Sequence, residues 1–282
     1  MDVHAPRTLE EALGLRAAHP GARPIAGGTD LMVALNADRE RPDVLIDLGR
    51  VPELRGWHYE GDELVLGAAL TYTEASDGEV ASALPALAAA ARTVGSPQIR
   101  NRGTIGGNLG SSSPAGDALP PLYASYAEIE LASTRGTRRV PIGEFITGPK
   151  RNVLEPDELI AAFHIAPASG PQQFSKVGTR NAMVIAVCSF ALALHPDERK
   201  VGTCIGSAGP TPIVAAEAEA FANGTLDWDG GAAPSDQELA RFGELVAQAA
   251  SPIDDVRGSA AYRRHALGVL ARRELAWAWS ER

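Results

Sequence analysis

Apolar positions in the first part of the chain alternate between helical spacing and short compact runs. A capping box formed by Thr8 and Glu11 precedes apolar residues at helical spacing, which predicts an N-terminal helix. A second helix is predicted over 82–95, where Gly95 provides the C-terminal stop. Compact apolar runs bounded by turn residues predict short strands at 22–28, 42–49, 63–75, 127–133, 137–145 and 157–167.

The second part of the chain carries longer apolar segments. The segment 174–194 is compatible with a buried strand or a helix, because periodicity alone does not separate the two. The loop 168–172 is short, polar and rich in Gly and Pro, so we predict domains at 1–170 and 171–282. Further elements are predicted as a strand at 200–209 and helices at 212–224, at 235 to about 250 and at 259–282.

Two Gly-Gly pairs each follow a short apolar run. The first lies in "RPIAGGTDLM" at 23–32 and the second in "RGTIGGNLG" at 102–110, within a segment (96–124) that we predict to be irregular. Glycine permits positive φ and close approach of the backbone to a ligand, and consecutive amides around it can bind an anion. For either pair alone, an ordinary tight turn is the favoured interpretation. Together they predict two loops that hold the phosphates of one pyrophosphate.

The remaining composition narrows the class of protein. Lys and Arg total 26 and Asp and Glu total 35, so the net charge is −9 and nucleic acid is not an expected partner. We find no apolar run that could span a membrane, no P-loop and no Rossmann glycine pattern. Cys188 and Cys204 are too few for an iron–sulfur cluster and are predicted to be buried free thiols. No histidine pair has metal-ligand spacing, so no metal site is predicted, and cytoplasmic localisation is expected.

Three motifs resemble those of a known family. "AGGTDL", "RNRGTIGGNLGSSSPAGD" and "FSKVGTR" are similar, in order and spacing, to the FAD-binding medium subunit of molybdenum hydroxylases such as xanthine dehydrogenase, aldehyde oxidoreductase and carbon monoxide dehydrogenase. The resemblance covers nearly the whole chain. It implies an α+β fold, with an FAD-binding domain of two α+β subdomains (PCMH-type, vanillyl-alcohol-oxidase-like) split near residue 56. A C-terminal domain with a three-stranded antiparallel sheet and a helix bundle would follow.

The resemblance also implies which residues bind FAD. Asp117 would hydrogen-bond within the site, Val94 or Gly95 and Ile160 would contact the flavin ring, and Lys176 would lie near it. Each has a structural alternative: a loop cap for the aspartate, a helix stop for the glycine, a core strand position for the isoleucine and a solvated side chain for the lysine. The implied pyrophosphate loops are Ile25, Ala26, Gly27, Gly28, Thr29, Asp30 and Leu31, and Thr104, Ile105, Gly106, Gly107 and Asn108.

The function implied by the resemblance is electron transfer through FAD. Electrons would come from the 2Fe-2S small subunit of a hetero-oligomer that also contains a molybdopterin large subunit, and would leave to NAD or another acceptor. We nominate no catalytic residue. The stretch "RNAMVIA" at 180–186 lacks a tyrosine that some carbon monoxide-oxidising members carry, which favours a xanthine dehydrogenase-like branch. The alternatives are a stand-alone FAD-dependent oxidoreductase acting directly on a small substrate and a noncatalytic nucleotide-binding module.

The glycine motif also gives a specific expectation for one position. We expect Gly107 to have a positive φ, so that a β-branched residue there would strain the backbone and empty the site.

Overall fold

The computed structural model describes residues 1–181 and 183–282. The chain begins with a small parallel sheet whose elements are β1 (Asp2–His4), α1 (Leu9–Ala18), β2 (Arg23–Ile25), α2 (Leu31–Asn36) and β3 (Val44–Asp47). The strand order is β1–β3–β2. Thr8 caps α1 by accepting from the Glu11 amide, but the Glu11 carboxylate accepts from Arg7 instead, so the predicted capping box is only half formed.

A five-stranded antiparallel sheet forms the second unit. Its strands are β4 (Trp57–Glu60), β5 (Glu63–Gly67), β6 (Glu128–Ser133), β7 (Gly136–Pro141) and β10 (Leu159–Ile165), next to a hairpin of β8 (Ile146–Gly148) and β9 (Arg151–Asn152). The strand order is β4–β5–β10–β6–β7. Side chains alternate between the faces, so Leu64, Leu66 and Phe163 enter the core while His164 pairs with Glu130 on the other face.

Short helices cover the core face of this sheet. They are α3 (Tyr72–Ala75), α4 (Gly78–Ala83), α5 (Pro85–Thr93), α6 (Pro97–Arg100), α7 (Ile105–Ser111), α8 (Leu119–Ala124) and α9 (Ile142–Phe145). The prediction that 96–124 is irregular was therefore wrong. Ser96 and Thr104 cap α6 and α7, and Pro120 and Pro121 sit in the first turn of α8, where a missing N–H costs nothing. Glycine and proline in this stretch hid helices that are only one or two turns long.

The C-terminal unit is an antiparallel three-stranded sheet packed on helices, as predicted. Its elements are β11 (Gln172–Val177), β12 (Cys188–His195), β13 (Lys200–Gly206), α10 (Ala216–Thr225), α11 (Asp236–Ala249) and α12 (Ala260–Glu281). The ambiguous apolar segment at 174–194 thus contributes two strands. The capping box that starts α11 is complete, with Ser235 and Glu238 bonding reciprocally. Cys188 and Cys204 are buried free thiols, which confirms that prediction.

The sheet of the C-terminal unit lies between its own helices and the first half of the chain. Side chains on one face of β11 reach the first half of the chain, where Gln172 donates to the Ala83 carbonyl at 3.0 Å. On the other face, Val177 joins the core formed with α10, α11 and α12. Gly202 approaches so closely that a Cβ there would lie 2.0 Å from the Ala124 carbonyl oxygen. The two halves of the chain therefore meet through direct backbone contact.

The long C-terminal helix carries ionisable side chains even on its buried side. Arg263 is 3 % exposed and pairs with Asp255 at 2.6 Å, and Glu274 is fully buried. Such residues interrupt the apolar stretches of α12. No helix among residues 1–181 and 183–282 has both the length and the apolar character needed to cross a membrane.

Candidate functional site

The two glycine-rich segments meet in space. A Cβ built on Gly27 would lie 1.8 Å from the Arg102 carbonyl oxygen and 3.0 Å from the Gly103 Cα. Real Cβ contacts are never this short, so the two backbones touch only because residue 27 has no side chain. The structure thus brings the loop 25–31 against the start of the loop 104–108, although nearly eighty residues separate them.

The first loop offers a run of unpaired backbone donors. It leaves β2, turns at Gly28 with φ +74°, and enters α2. Within the part of the chain that is described, the N–H groups of Gly27, Gly28, Thr29, Asp30 and Leu31 donate no hydrogen bond. Consecutive free amides around a left-handed glycine form a concave anion-binding surface. Free amides thus lie where the sequence predicted a phosphate loop, and phosphate binding by this loop stays a prediction.

The second loop differs from its prediction. The amides of Ile105 and Gly106 donate to the Leu70 and Ala68 carbonyls at 2.9 and 2.8 Å. Those of Gly107 and Asn108 donate to the Oγ1 and carbonyl oxygen of Thr104 at 3.0 and 2.9 Å. Residues 105–108 are the first turn of α7, and all four N–H groups are occupied. The expectation of an amide nest here was wrong, because the preceding strand and the helix cap take these donors.

The glycines of the second pair serve two different contacts. A Cβ on Gly106 would stand 2.5 Å from the Ala68 carbonyl oxygen, so this glycine lets α7 pack on the end of β5. Gly107 is exposed, has no positive φ, and a Cβ there would meet only the Thr104 hydroxyl at 2.8 Å. The expected backbone strain at Gly107 is therefore incorrect. Positive φ belongs to Gly28 in the other pair.

Two buried acceptor atoms face no protein donor at this site. Asn108 Oδ1 and Asp117 Oδ1 have no hydrogen-bond partner among the described residues. The second carboxylate oxygen of Asp117 binds Lys176 Nζ at 2.6 Å, and Lys176 also donates to the Thr93 carbonyl at 3.3 Å. Unpaired buried acceptors are costly, so they mark a place where a donor from outside the chain is expected.

The ion pair between Asp117 and Lys176 joins the two halves of the chain. Both side chains are buried, at 11 % and 5 % exposure, so the solvated alternative for Lys176 was wrong. Burial raises the pKa of Asp117, and the adjacent ammonium of Lys176 opposes that rise. The lysine on β11 is thus the ion-pair partner of a buried carboxylate at the junction with the C-terminal unit.

The remaining predicted residues lie at the two ends of this region. Val94 ends α5 next to Thr93, and Gly95 follows with φ +46°; the Arg100 guanidinium donates to both of their carbonyls at 3.1 Å. Gly95 thus ends the helix and lies two positions after Thr93, whose carbonyl accepts from Lys176. Ile160 is 9 % exposed on β10, where its Cδ1 lies 3.5 Å from the Cβ position of Gly110 on α7.

Sequence reasoning missed Tyr72, which lies against Gly103 where the second loop begins. It is 4 % exposed, its N–H donates to the Gly103 carbonyl at 3.0 Å, and its ring lies 2.9 Å from the Cβ position of Gly103. Burial raises its pKa, and the carboxylates of Asp117 and Asp30 raise it further. The Thr71–Glu74 capping box before α3 is visible in the sequence, but no local signal connects Tyr72 to a loop thirty residues later.

Two surface grooves lie elsewhere on the molecule. One of about 290 Å³ runs between α10 and α11, and one of about 160 Å³ lies beside His58 and His164. The described lining of neither groove includes a predicted site residue. The candidate site, where the glycine-rich segments meet, is therefore marked by free donors and acceptors rather than by a groove volume. Within the stretch "RNAMVIA" that follows β11, Ala182 lies outside the described residues.

Known proteins are similar to this chain in sequence and in fold. The family described as "FAD binding domain in molybdopterin dehydrogenase" matches residues 1–168, and "CO dehydrogenase flavoprotein C-terminal domain" matches residues 173–278. The xanthine dehydrogenase FAD-binding subunit of Escherichia coli O157:H7 is 34 % identical over 280 residues, covering 96 % of this chain and 93 % of that protein. The nicotinate dehydrogenase FAD-subunit of Eubacterium barkeri is 39 % identical over 220 residues, covering 73 % and 74 %.

Solved structures also have a fold similar to that of this chain. A chain of the reconstituted CO dehydrogenase from Oligotropha carboxidovorans superposes with a TM-score of 0.91 at 27 % identity, covering 100 % of this chain and 98 % of that one. The chain belongs to the family of FAD-binding medium subunits of molybdenum hydroxylases, which are subunits of oxidoreductases. The family, the α+β fold and FAD as the cofactor, all predicted from the sequence, are confirmed.

Proposed function

We propose that this chain binds FAD in the cleft where Gly27 meets Arg102 and works as the electron-transfer subunit of a molybdenum hydroxylase complex. Electrons would enter from the iron–sulfur clusters of a small subunit and leave to NAD or another acceptor. The observation that carries the proposal is the run of free amides at 27–31 beside the buried acceptors Asn108 Oδ1 and Asp117 Oδ1.

The polar groups of this cleft fit the chemistry of FAD. The free N–H groups of Gly27 to Leu31 suit the oxygens of a pyrophosphate, which is an anion without donors of its own. The unpaired oxygens of Asn108 and Asp117 could accept from donors instead, and FAD carries donors in its hydroxyl and ring N–H groups. When bound, FAD supplies the capacity to accept electrons singly and to release them as a pair.

The chain's own residues would bind and orient the cofactor. Gly28 and Gly107 leave room for its approach, since neither presents a side chain to the cleft. Lys176 occupies Oδ2 of Asp117 and leaves Oδ1 to accept a hydrogen bond from the cofactor. Because this ammonium is already paired with a carboxylate, its field at the flavin is that of a dipole rather than of a free positive charge. Lys176 thus acts by orienting Asp117 more than by attracting a negative ring.

We infer partner chains from the cysteine content of this chain and from the names of its relatives. A 2Fe-2S cluster of the all-cysteine type needs four cysteine ligands, and the chain has two cysteines, both buried as free thiols in its described structure. The CO dehydrogenase relatives are named medium chains. We infer that a 2Fe-2S small subunit and a molybdopterin large subunit complete the hetero-oligomer. Reduced, unpaired thiols agree with work in the cytoplasm.

The domains and site residues are part of the same proposal. We propose an FAD-binding domain at 1–170, split near residue 56, and a C-terminal domain at 171–282. Val94, Gly95 and Ile160 would contact the flavin ring, since they lie at the ends of the elements that border the Asp117–Lys176 pair and α7.

The test is to purify the full chain together with the products of its neighbouring reading frames. We expect a flavin spectrum, release of intact FAD on denaturation, and iron and molybdenum in the copurifying chains. Protein without flavin would refute FAD binding. A flavoprotein that purifies alone and oxidises a small substrate directly would replace the subunit role with that of a stand-alone oxidoreductase.

A further inference from the structure

The turn that joins α5 to α6 has three consecutive carbonyl groups, and cationic side chains hold all three. Lys176 Nζ donates to the Thr93 carbonyl at 3.3 Å. Arg100 Nη1 donates to the carbonyls of Val94 and Gly95, at 3.1 Å each. Because Arg100 is the last residue of α6, its side chain folds back over the turn that precedes its own helix. The turn is thus held at its first carbonyl by the C-terminal unit and at the next two by a neighbouring helix.

Gly95 does not fix the shape of this turn by itself. It has a φ of +46°, and glycine is the residue with the greatest conformational freedom, so contacts must restrict it. The two carbonyls that Arg100 holds belong to the peptide groups on either side of Gly95. Each peptide group is planar, so holding both oxygens on one nitrogen restricts the two dihedral angles between them. Ile99 adds a contact, since its Cγ2 lies 2.8 Å from the Cβ position of Gly95.

The same hydrogen bonds set the direction of the Val94 side chain. Lys176 holds the peptide group before Val94 through the Thr93 carbonyl, and Arg100 holds the peptide group after it. With both peptide planes held, the Cα–Cβ bond of Val94 has a fixed direction. This side chain is only partly buried against the core of the five-stranded sheet, so part of its surface is open to a ligand.

We propose that Arg100 is a positioning residue for the flavin ring: by holding the peptide groups on both sides of Gly95, it keeps the Val94 side chain where it contacts the ring. The inference rests on the proposed FAD site and assigns Arg100 no contact with the reacting atoms. Lys176 holds the same turn and also binds Asp117 Oδ2 at 2.6 Å. The ring contact and the buried carboxylate are therefore fixed relative to each other.

Binding of two nucleotides to the full chain separates this role from a general structural one. ADP carries the adenine and pyrophosphate of FAD but no flavin ring, so it reports on the free amides at 27–31, which take no part in the bonds of the turn. Dissociation constants of FAD and ADP are measured by flavin fluorescence and calorimetry, after removal of bound flavin, for wild type and Arg100→Met. We expect the variant to bind FAD about tenfold more weakly, the effect of one hydrogen bond to a charged group, and ADP within about twofold of wild type.

A double-mutant cycle identifies the group through which Arg100 acts. In the Val94→Ala background, Arg100→Met should weaken FAD binding by less than about twofold, because the side chain that it positions has been shortened. The matched control is Arg92→Met. Arg92 lies on α5 and also donates to a backbone carbonyl, that of Ser76 at 2.7 Å, but to none of the three carbonyls of the turn. It should leave the affinities for both nucleotides unchanged.

A conservative variant adds a rescue. Arg100→Lys keeps a single cationic nitrogen that can donate to both carbonyls, so it should bind FAD within about threefold of wild type. Unchanged FAD affinity in Arg100→Met, an equal loss for FAD and ADP, or the same loss with and without the Val94 side chain would overturn the positioning role. So would a lysine variant as weak as the methionine one. Failure of the wild-type chain to bind FAD at all would instead overturn the proposed function.

Discussion

Replacing Gly27 by Ala tests the contact between the two loops. The new Cβ would stand 1.8 Å from the Arg102 carbonyl oxygen and 2.5 Å from its carbon. Both are backbone atoms, so no flexible side chain can move aside. The loops must separate by about 1.2 Å before the distance reaches 3.0 Å, the shortest that real Cβ atoms show. The substitution therefore separates the two segments while keeping every backbone N–H that would bind FAD.

The size of the effect follows from the contacts that this separation disturbs. Overpacking of this kind costs about 1–3 kcal/mol of folding free energy, which corresponds to a melting temperature lower by about 2–10 °C. Two amide–phosphate hydrogen bonds at about 1.5 kcal/mol each would be lost from the displaced loop. We therefore expect FAD to bind about 100-fold more weakly.

The assay compares FAD affinity by fluorescence titration with apparent melting temperature. Gly14→Ala is the control, because Gly14 lies in α1 with no described atom within 4 Å of its Cβ position. It should leave FAD affinity unchanged and add about 0.5–1 kcal/mol of stability. Wild-type FAD affinity in Gly27→Ala would show that the two loops do not share one ligand.

Three other predictions concern the cleft and the core behind it. Gly107→Ala should weaken FAD binding about tenfold while keeping the fold, because it adds a methyl to the exposed cleft without backbone strain; a large drop in melting temperature would contradict this. Lys176→Met should cost about 3–5 kcal/mol in urea unfolding by leaving buried Asp117 unpaired, whereas exposed Lys200→Met should cost under about 1 kcal/mol; equal losses would refute the buried pair. Burial raises the pKa of Glu274, so the folded chain keeps the Glu274 proton above about pH 4.3, whereas the unfolded chain releases it there. The free energy of unfolding therefore falls as the pH rises. The Glu274→Gln variant does not titrate at this position, so its free energy of unfolding relative to that of the wild type should increase from about pH 5 to about pH 8. A difference between variant and wild type that stays constant with pH would contradict a raised pKa.

The sequence alone determined the features that neighbouring residues decide. The Ser235–Glu238 capping box, the helix stop at Gly95 and the strand that runs into Gly27 each depend on side chains a few positions apart. Such short-range signals act in any tertiary context, and the order of three glycine-containing motifs was enough to indicate the family and its cofactor. The α+β class followed from the same local patterns.

Only the tertiary structure decided which groups at the site are free to bind. The amides at 105–108 looked equivalent to those at 27–31, but carbonyls of Ala68 and Leu70, from a strand end more than thirty residues earlier, occupy two of them. Lys176 meets Asp117 across 59 residues. A hydrogen-bonding group is available only after every competing partner in space has been placed, and that competition leaves no trace in the spacing of residues along the chain.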